Sequence, residues 1–407
     1  MRPTLNLPAC AVVALLCTLG CQPDAGGTAA DAAAAEPPVA ALRTTDGAIA
    51  LGNLDAQVRG LERLAQGGPQ AAAAQRQLVD LLGARAQYRA GVADRSRALA
   101  LADALVAGAP DDPQALLARA AARGGLHGFR AALADAERAA ALGAPAEVVE
   151  AARAGLLQSL GRYDEALAIR RAHAERAPDT ATLGALATLL AERGEHAAAV
   201  DAFARARAAY GDVSPFPLAW LQFEEGLMWM RAGDLARAHA HFTEAHTHLP
   251  GYVAARCHLA EVEAALGRPQ VAVALLEPLA AAGEDPDPAA QLARILAEQG
   301  DAAGAARWRA RAAARYDELL ARYPDAFADH GTEFYLAAGD DPARALALAR
   351  HNAGIRRSAG ALDLLLTAAA AAADDASDAC AVARDAASAG DAPALQAVRS
   401  RAAALCG

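Results

Sequence analysis

Apolar residues in this chain recur at helical spacing. Between residues 53 and 66, Leu54, Val58, Leu61 and Leu64 lie on one stripe, which predicts an amphipathic helix. No run of alternating apolar and polar residues is long enough to predict a strand. The pattern therefore predicts an all-α protein.

An Ala residue followed by an apolar or small residue returns at a nearly constant interval. The steps between these residues are 34, 34, 33, 39, 34, 33, 40 and 34 residues. The nine positions are Ala98, Ala132, Ala166, Ala199, Ala238, Ala272, Ala305, Ala345 and Ala379. A period near 34 in a chain rich in Ala and Leu is typical of stacked helix pairs. Such units bury their apolar faces only against neighbours, which favours a scaffold over an enzyme.

Several repeats share further residues at fixed distances from the Ala. Phe203 and Phe242 follow their Ala by four positions, and Pro110, Pro178 and Pro250 follow theirs by twelve. A Gly stands five positions before the Ala in five repeats, at Gly161, Gly194, Gly233, Gly267 and Gly300. We expect the Gly to end the first helix in a left-handed conformation and the Ala to let the two helices approach closely.

These motifs resemble the tetratricopeptide repeat, whose pattern includes Trp-x2-Leu-Gly-x2-Tyr, then Ala-x3-Phe and a closing Pro. The resemblance covers roughly residues 79 to 390. It departs from the family in the large aromatic residue early in the first helix, which is usually missing, and in the degenerate first, second and last units. The resemblance implies a right-handed superhelical solenoid of helix-turn-helix repeats that binds a protein or peptide through its concave face.

The regions flanking the repeats are assigned from composition and pattern. We expect an N-terminal helical region at 42–78, the repeat array at 79–391 and a capping helix at 392–407. Two long steps allow insertions. One contains a loop at 211–217, and the other a helix from Ala306 to Tyr323, broken by Pro324.

The N-terminus resembles a bacterial lipoprotein signal. Arg2 precedes a short apolar run that ends Thr18-Leu19-Gly20-Cys21, too short to span a bilayer. The expected organisation is a signal peptide at 1–20, lipidation at Cys21 and a flexible tether at 21–41. Cleavage without lipidation is the alternative. By resemblance to Gram-negative lipoproteins, Gln22 favours the outer membrane, facing the periplasm.

Composition argues against nucleic acid as a partner. The sequence has no Lys, so all 38 basic residues are Arg, and the net charge is −10 without long like-charge runs. Phosphate binding needs a clustered basic face. The absence of Lys also argues against the family's Lys- and Asn-based clamp for peptide carboxylates. In that region the chain has Cys257, Glu261 and Arg294.

The resemblance places four large residues on the groove-facing side of the helix at 219–232. They are Trp220, Phe223, Leu227 and Met230, at spacing i, i+3, i+7 and i+10. Such a stripe would suit apolar anchors of a peptide. The alternative is that the stripe packs in the core, as apolar stripes usually do.

Four His residues lie between His239 and His248, and this density makes a metal site one interpretation. His241 and His248 are about 10 Å apart along a helix, too far to share one ion, although Glu244 and His248 could do so. His239 and His246 have the same separation on another face. A solvated helix face is favoured over weak divalent-metal binding, and no cofactor is expected.

Catalytic motifs were not found in the sequence. It contains no phosphate-binding Gly-rich loop, Gly-x-Ser-x-Gly, His-Glu-x-x-His or Cys-x-x-Cys. We therefore expect no enzymatic activity.

Three cysteines follow the expected lipidation site. Cys380 and Cys406 lie on two helices, at 376–388 and 392–405, that are antiparallel around the turn at Gly390. A disulfide between them would staple the terminal cap, and two free thiols are the alternative. Cys257 is expected to be a small buried residue.

The sequence therefore predicts a non-enzymatic scaffold, lipid-anchored in the bacterial cell envelope, that binds an envelope protein or peptide. The membrane contact would be the N-terminal lipid alone. The alternative is a periplasmic lipoprotein that binds a small ligand or a divalent metal.

Overall fold

In a computed structural model, residues 43–372, 377–388 and 390–406 are described. These residues form twenty helices and no strand. The helices are α1 Gly47–Leu64, α2 Ala71–Arg89, α3 Val92–Gly108, α4 Pro113–Gly124, α5 Phe129–Ala141, α6 Ala146–Ser159, α7 Tyr163–Arg176, α8 Thr180–Arg193, α9 His196–Ala208, α10 Pro215–Arg231, α11 Leu235–His248, α12 Val253–Ala265, α13 Pro269–Ala282, α14 Asp287–Glu298, α15 Ala302–Arg322, α16 Pro324–Leu336, α17 Pro342–Ile355, α18 Ala359–Ala371, α19 Ser377–Ser388 and α20 Pro393–Cys406. The prediction of an all-α fold is confirmed.

The helices pair into nine units, from α2–α3 as unit one to α18–α19 as unit nine, with α1 before them and α20 after them. All nine repeat Ala residues are buried, with at most 4% of their surface exposed. Phe203 and Phe242 are completely buried beside them. The two helices of a unit therefore approach each other closely at the small repeat Ala, while the larger Phe side chain fills the space between neighbouring units.

The turn within each unit follows the predicted chemistry. The five repeat Gly residues have φ between 79° and 84°, the left-handed region where a side chain is disfavoured. Carboxylates cap the helices that follow two of these five turns, at Asp234 and Asp301. For example, Asp234 accepts a hydrogen bond from the backbone N–H of Arg237, 3.0 Å away.

Element bounds differ from expectation in two places. The first helix begins at Gly47 because Asp46 caps it, and Leu54 and Val58 are fully buried while Leu64 is exposed. The predicted 211–217 loop is shorter than expected, because Pro215–Pro217 form the first turn of α10. Proline fits that turn since its missing N–H would be unsatisfied there in any case.

The array returns onto itself, so that early units contact late ones. In unit two, His127 Nδ1 lies 3.1 Å from the carbonyl of Asp325 in unit eight. In unit three, the carbonyl of Leu160 accepts a hydrogen bond from the N–H of Arg357, at the start of unit nine, at 3.1 Å.

Unit four continues this seam against the terminal helix. Gly194 lies against Pro393 and Ala394 of α20, which follows unit nine. We call the turn between the two helices of a unit its inner turn. The inner turns of units two, three and four therefore contact the beginnings of α16, α18 and α20, each six positions later in the array. We call this set of contacts the seam.

Candidate functional site

The predicted apolar stripe on α10 is not an open wall. Trp220 is 1% exposed and Phe223 is 8% exposed, so the prediction that these two residues line a groove is wrong. A Cβ atom added to Gly184 on α8 would collide with the Trp220 ring, which shows how closely the ring packs on unit four. Phe223 packs against Tyr252, with ring centroids 5.0 Å apart. Neighbouring units thus convert this part of the stripe into core.

The other half of the stripe lies closer to the surface. Leu227 and Met230 are half-buried and pack against the same apolar cluster as Phe223. Trp229 is also half-buried, with the Arg237 guanidinium 4.2 Å from its ring centroid. The accessible apolar area on α10 is therefore small and close to a cation.

The His-rich helix α11 is engaged with its neighbours. His239 Nε2 lies 2.8 Å from Glu263, and His241 Nδ1 lies 2.6 Å from Gln222. Burial lowers the pKa of His241 to about 4 and also lowers the pKa values of His246 and His248. The prediction of a solvated His face is therefore wrong, because these side chains are half-buried and two have protein partners. Among the described residues, no group of three side chains could hold a metal ion.

A polar cluster that the sequence did not reveal lies on the first helices of units six, seven and eight. We call it the acidic patch, and it comprises Glu261 on α12, Asp287 on α14, Asp285 just before α14, and Asp329, His330 and Glu333 on α16. His330 Nδ1 donates to Asp287 at 3.1 Å and lies 3.9 Å from Glu333. On α12, His258 lies 3.2 Å from Glu261. Three successive first helices thus bring one His and five carboxylates together.

Charges in the acidic patch shift one another. The charge of Asp287 holds the pKa of His330 well above its usual value. Burial pushes the pKa of Asp287 upward, but the charge of His330 and its hydrogen bond outweigh burial and lower it. Burial, with the nearby Asp287 charge, raises the pKa of Asp285 to about 7. At neutral pH the His330–Asp287 pair is therefore ionised, while Asp285 is partly protonated.

Three members of the patch remain open to solvent. The side chains of His330, Glu333 and Glu261 are 47%, 65% and 43% exposed, although burial raises the pKa of Glu333. A side chain that is exposed to solvent and yet has its pKa raised by the surrounding protein is typical of a recess that is open to water. Glu333 and Glu261 are thus available to a positively charged ligand group.

Part of this signal was present in the sequence. Glu261 is identified from the sequence together with Cys257 and Arg294. Asp287 and His330 lie 26 and 69 residues further along the chain than Glu261. Aligning the first helices by their repeat Ala would have placed these residues on one surface. The arrangement can hold a cationic group, and no Ser, Thr or Cys nucleophile is part of it.

A second polar recess lies at the seam. A cleft of about 780 Å³ is lined by units two, three and nine and by Ile355 at the end of unit eight. Its charges are largely paired within the protein, as Arg357 with Asp385 and Arg162 with Glu165. The cleft therefore offers fewer free charges than the acidic patch.

Cysteine positions and helix lengths bear on the remaining predictions. The structure places Cys380 and Cys406 in disulfide geometry with their Cα atoms 5.0 Å apart, and Cys257 is a buried free thiol. The predicted signal peptide, Cys21 and tether lie outside the described residues. Within the part of the chain that is described, no helix is long and apolar enough to cross a membrane.

Comparison with known proteins agrees with this architecture. Residues 230–295 match the family model described as "Tetratricopeptide repeat". No curated protein matches the chain significantly.

Two solved structures illustrate the range of similarity. A human IFIT1 dimer with m7Gppp-AAAA is similar over 88% of this chain and 77% of its own, with 15% identity and a TM-score of 0.51. A tetratricopeptide repeat protein from Parabacteroides merdae is similar over 57% of this chain and 87% of its own, with 16% identity and a TM-score of 0.40. At these identities the likeness to IFIT1 concerns the fold alone.

Proposed function

Since this chain is built of tetratricopeptide repeats, we propose that it is a scaffold that binds a protein partner. Repeat arrays present extended surfaces rather than a single catalytic cleft. Fold does not determine function, so the surface itself has to carry the proposal. The observation that carries it is the acidic patch, where Glu261 on unit six and Glu333 on unit eight remain accessible.

The partner that fits this patch is an extended segment with a basic side chain. Five carboxylates lie there, while the ionised His330 compensates Asp287 and the nearby Arg356 pairs with Asp329. Glu333 and Glu261 keep capacity to accept hydrogen bonds from Lys or Arg. Leu227 and Met230 on the neighbouring unit five offer modest apolar contact.

An oligonucleotide fits this chain poorly. The IFIT1 structures contain capped or triphosphate oligonucleotides, and phosphate binding depends on clustered cations. Here the net charge is −10, and the polar cluster on units six to eight contains five carboxylates. His239 and His241 already contact Glu263 and Gln222 of this chain, which argues against a metal site on that helix.

The experiment compares two variants with the same change of charge. Glu261→Gln/Glu333→Gln removes the accessible carboxylates of the patch, and Glu277→Gln/Glu318→Gln removes two from α13 and α15. Binding to an array of basic, neutral and acidic synthetic peptides should fall at least tenfold in the first variant only, and for basic peptides only. Proximity crosslinking in the native host should lose the same partners. Equal binding by both variants would show that the patch is not the docking site.

We further propose that Cys21 carries a lipid that anchors the scaffold in the bacterial cell envelope. The support is the apolar run that stops at Thr18-Leu19-Gly20-Cys21. Cys21→Ser should move the protein from the membrane fraction to the soluble fraction. Unchanged membrane association of this variant would contradict the anchor.

A further inference from the structure

Unit three carries a ladder of charged residues between its two helices. Glu147 on α6 pairs with Arg176 on α7 at 3.4 Å, and Glu150 pairs with His173 at 3.0 Å. Each step moves three residues forward on α6 and three backward on α7, as an antiparallel helix pair requires. Continuing this register by one step places Arg153 on α6 opposite Arg170 on α7.

This third rung has two cations and no carboxylate. Arg170 is 3% exposed, and its Nε and Nη2 have no hydrogen-bond partner among residues 43–372, 377–388 and 390–406. The buried Nε of Arg153 also lacks a partner within these ranges, although the residue as a whole is half-buried. Two guanidinium groups with unsatisfied donors therefore fall on the same rung of this helix register.

An arginine is unusual at this place in the repeat. Arg170 lies four residues after the repeat Ala166, where units four, five and six have Phe203, Phe242 and Leu276. Those three side chains are completely buried core residues. Burial lowers the pKa of Arg170 to about 10, which leaves it charged at neutral pH. A buried, uncompensated charge is strongly unfavourable unless an opposite charge joins it.

The nearby carboxylates are engaged elsewhere. Glu150 lies between His173 and Arg176, and Glu165 forms two hydrogen bonds of 2.6 Å with Arg162. The charge of Arg153 still contributes to lowering the pKa of Glu165, after its hydrogen bonds with Arg162. The described protein thus supplies no direct anionic partner for the third rung.

We infer that Arg153 and Arg170 form a binding site in unit three for a small tetrahedral oxyanion, of the phosphate or sulfate class. Guanidinium groups present several donors in a plane, which matches the oxygen spacing of such anions. Arg153, being half-buried, provides the side from which the anion enters. This site is separate from the acidic patch and does not depend on the proposed scaffold function.

The test measures thermal unfolding of the full chain in sodium phosphate and in sodium chloride at equal ionic strength. The wild type should unfold at a higher temperature in phosphate. Arg170→Leu, which installs the apolar side chain of unit six, should unfold at a higher temperature than the wild type in chloride and lose the phosphate response. Isothermal titration with inorganic phosphate should show at least a tenfold weaker Kd for this variant.

Two further variants locate the effect. Arg153→Leu should also lose the phosphate response, and it keeps the test decisive if Arg170→Leu does not fold. Arg176→Leu, on the exposed first rung, should keep it. No phosphate response in the wild type, or an equal response in Arg153→Leu or Arg170→Leu, would overturn the assignment.

Discussion

The inner turns of units three and four and those of units five to seven have the same backbone but different surroundings. Gly161 and Gly194 contact the beginnings of α18 and α20, whereas a Cβ added at Gly233, Gly267 or Gly300 would meet no described atom within 4 Å. All five have the same left-handed φ. The difference arises because contact requires a helix six units later, and the described residues include no such helix for units five to seven. One local motif therefore serves as a simple turn or as an interface, depending on its position in the array.

The largest expected effect separates these two roles. Gly161→Ala should destabilise the protein by about 3 kcal/mol, because the left-handed conformation costs a side chain about 1–2 kcal/mol and the new methyl group collides with the backbone of Arg357 and Ser358. Gly233→Ala has the same φ but no collision, so about 1 kcal/mol is expected. Denaturant unfolding followed by circular dichroism measures both. Equal losses would mean that the seam adds nothing at unit three.

The sequence predicted the repeat and its turns because both depend on local chemistry. The period of Ala and the Gly caps act within about 34 residues. The seam could not be predicted in this way, since Tyr163 and Ala359 are 196 residues apart and meet only through the pitch of the superhelix.

The candidate site was missed for a related reason. Trp220 is a large apolar residue on the first helix of unit five, but the absence of a side chain at Gly184 lets its ring pack into unit four. Asp287, His330 and Glu261 belong to three different units, so their proximity depends on how units stack. The type of each side chain is known from the sequence, but its solvent exposure and its charged partners depend on how the units stack.

The second prediction concerns the end of the seam. The bond between Cys380 and Cys406 closes a loop with a separation of 26 residues, and its reduction should destabilise α19 and α20 by about 3 kcal/mol. Because α20 covers the turn at Gly194, hydrogen exchange should accelerate there, while exchange at Gly233 stays unchanged. Mass spectrometry after thiol labelling checks the oxidised form, in which Cys257 should be the one of the three described cysteines that reacts on unfolding. Two additional reactive thiols without reductant would contradict the disulfide.

The third prediction is that lowering the pH weakens the seam contact of His127 in unit two. Burial, followed by the charges of Arg356 and Arg95, lowers the pKa of His127 to about 4. In the unfolded chain His127 binds a proton near pH 6.5, but in the folded chain it stays neutral until about pH 4. Stability should therefore fall by about 2 kcal/mol between pH 7 and pH 5 from this residue. His127→Asn, a residue that tolerates the positive φ of this position, should flatten the pH dependence over this range. Identical slopes for the two proteins would exclude His127 as the cause.

The smallest expected effect tests a single hydrogen bond across the seam. The Tyr163 hydroxyl donates to Glu192 at 2.9 Å and accepts from the N–H of Ala359 at 2.9 Å. Tyr163→Phe removes both bonds and leaves a buried backbone N–H unpaired, which should cost about 2 kcal/mol. Tyr335→Phe removes one bond, to Asp317 in the neighbouring unit, and should cost about 1 kcal/mol. Hydrogen exchange should also accelerate at Ala359 in Tyr163→Phe and remain unchanged there in Tyr335→Phe. Because the first variant opens a contact between distant units and the second does not, only the first should loosen the start of α18.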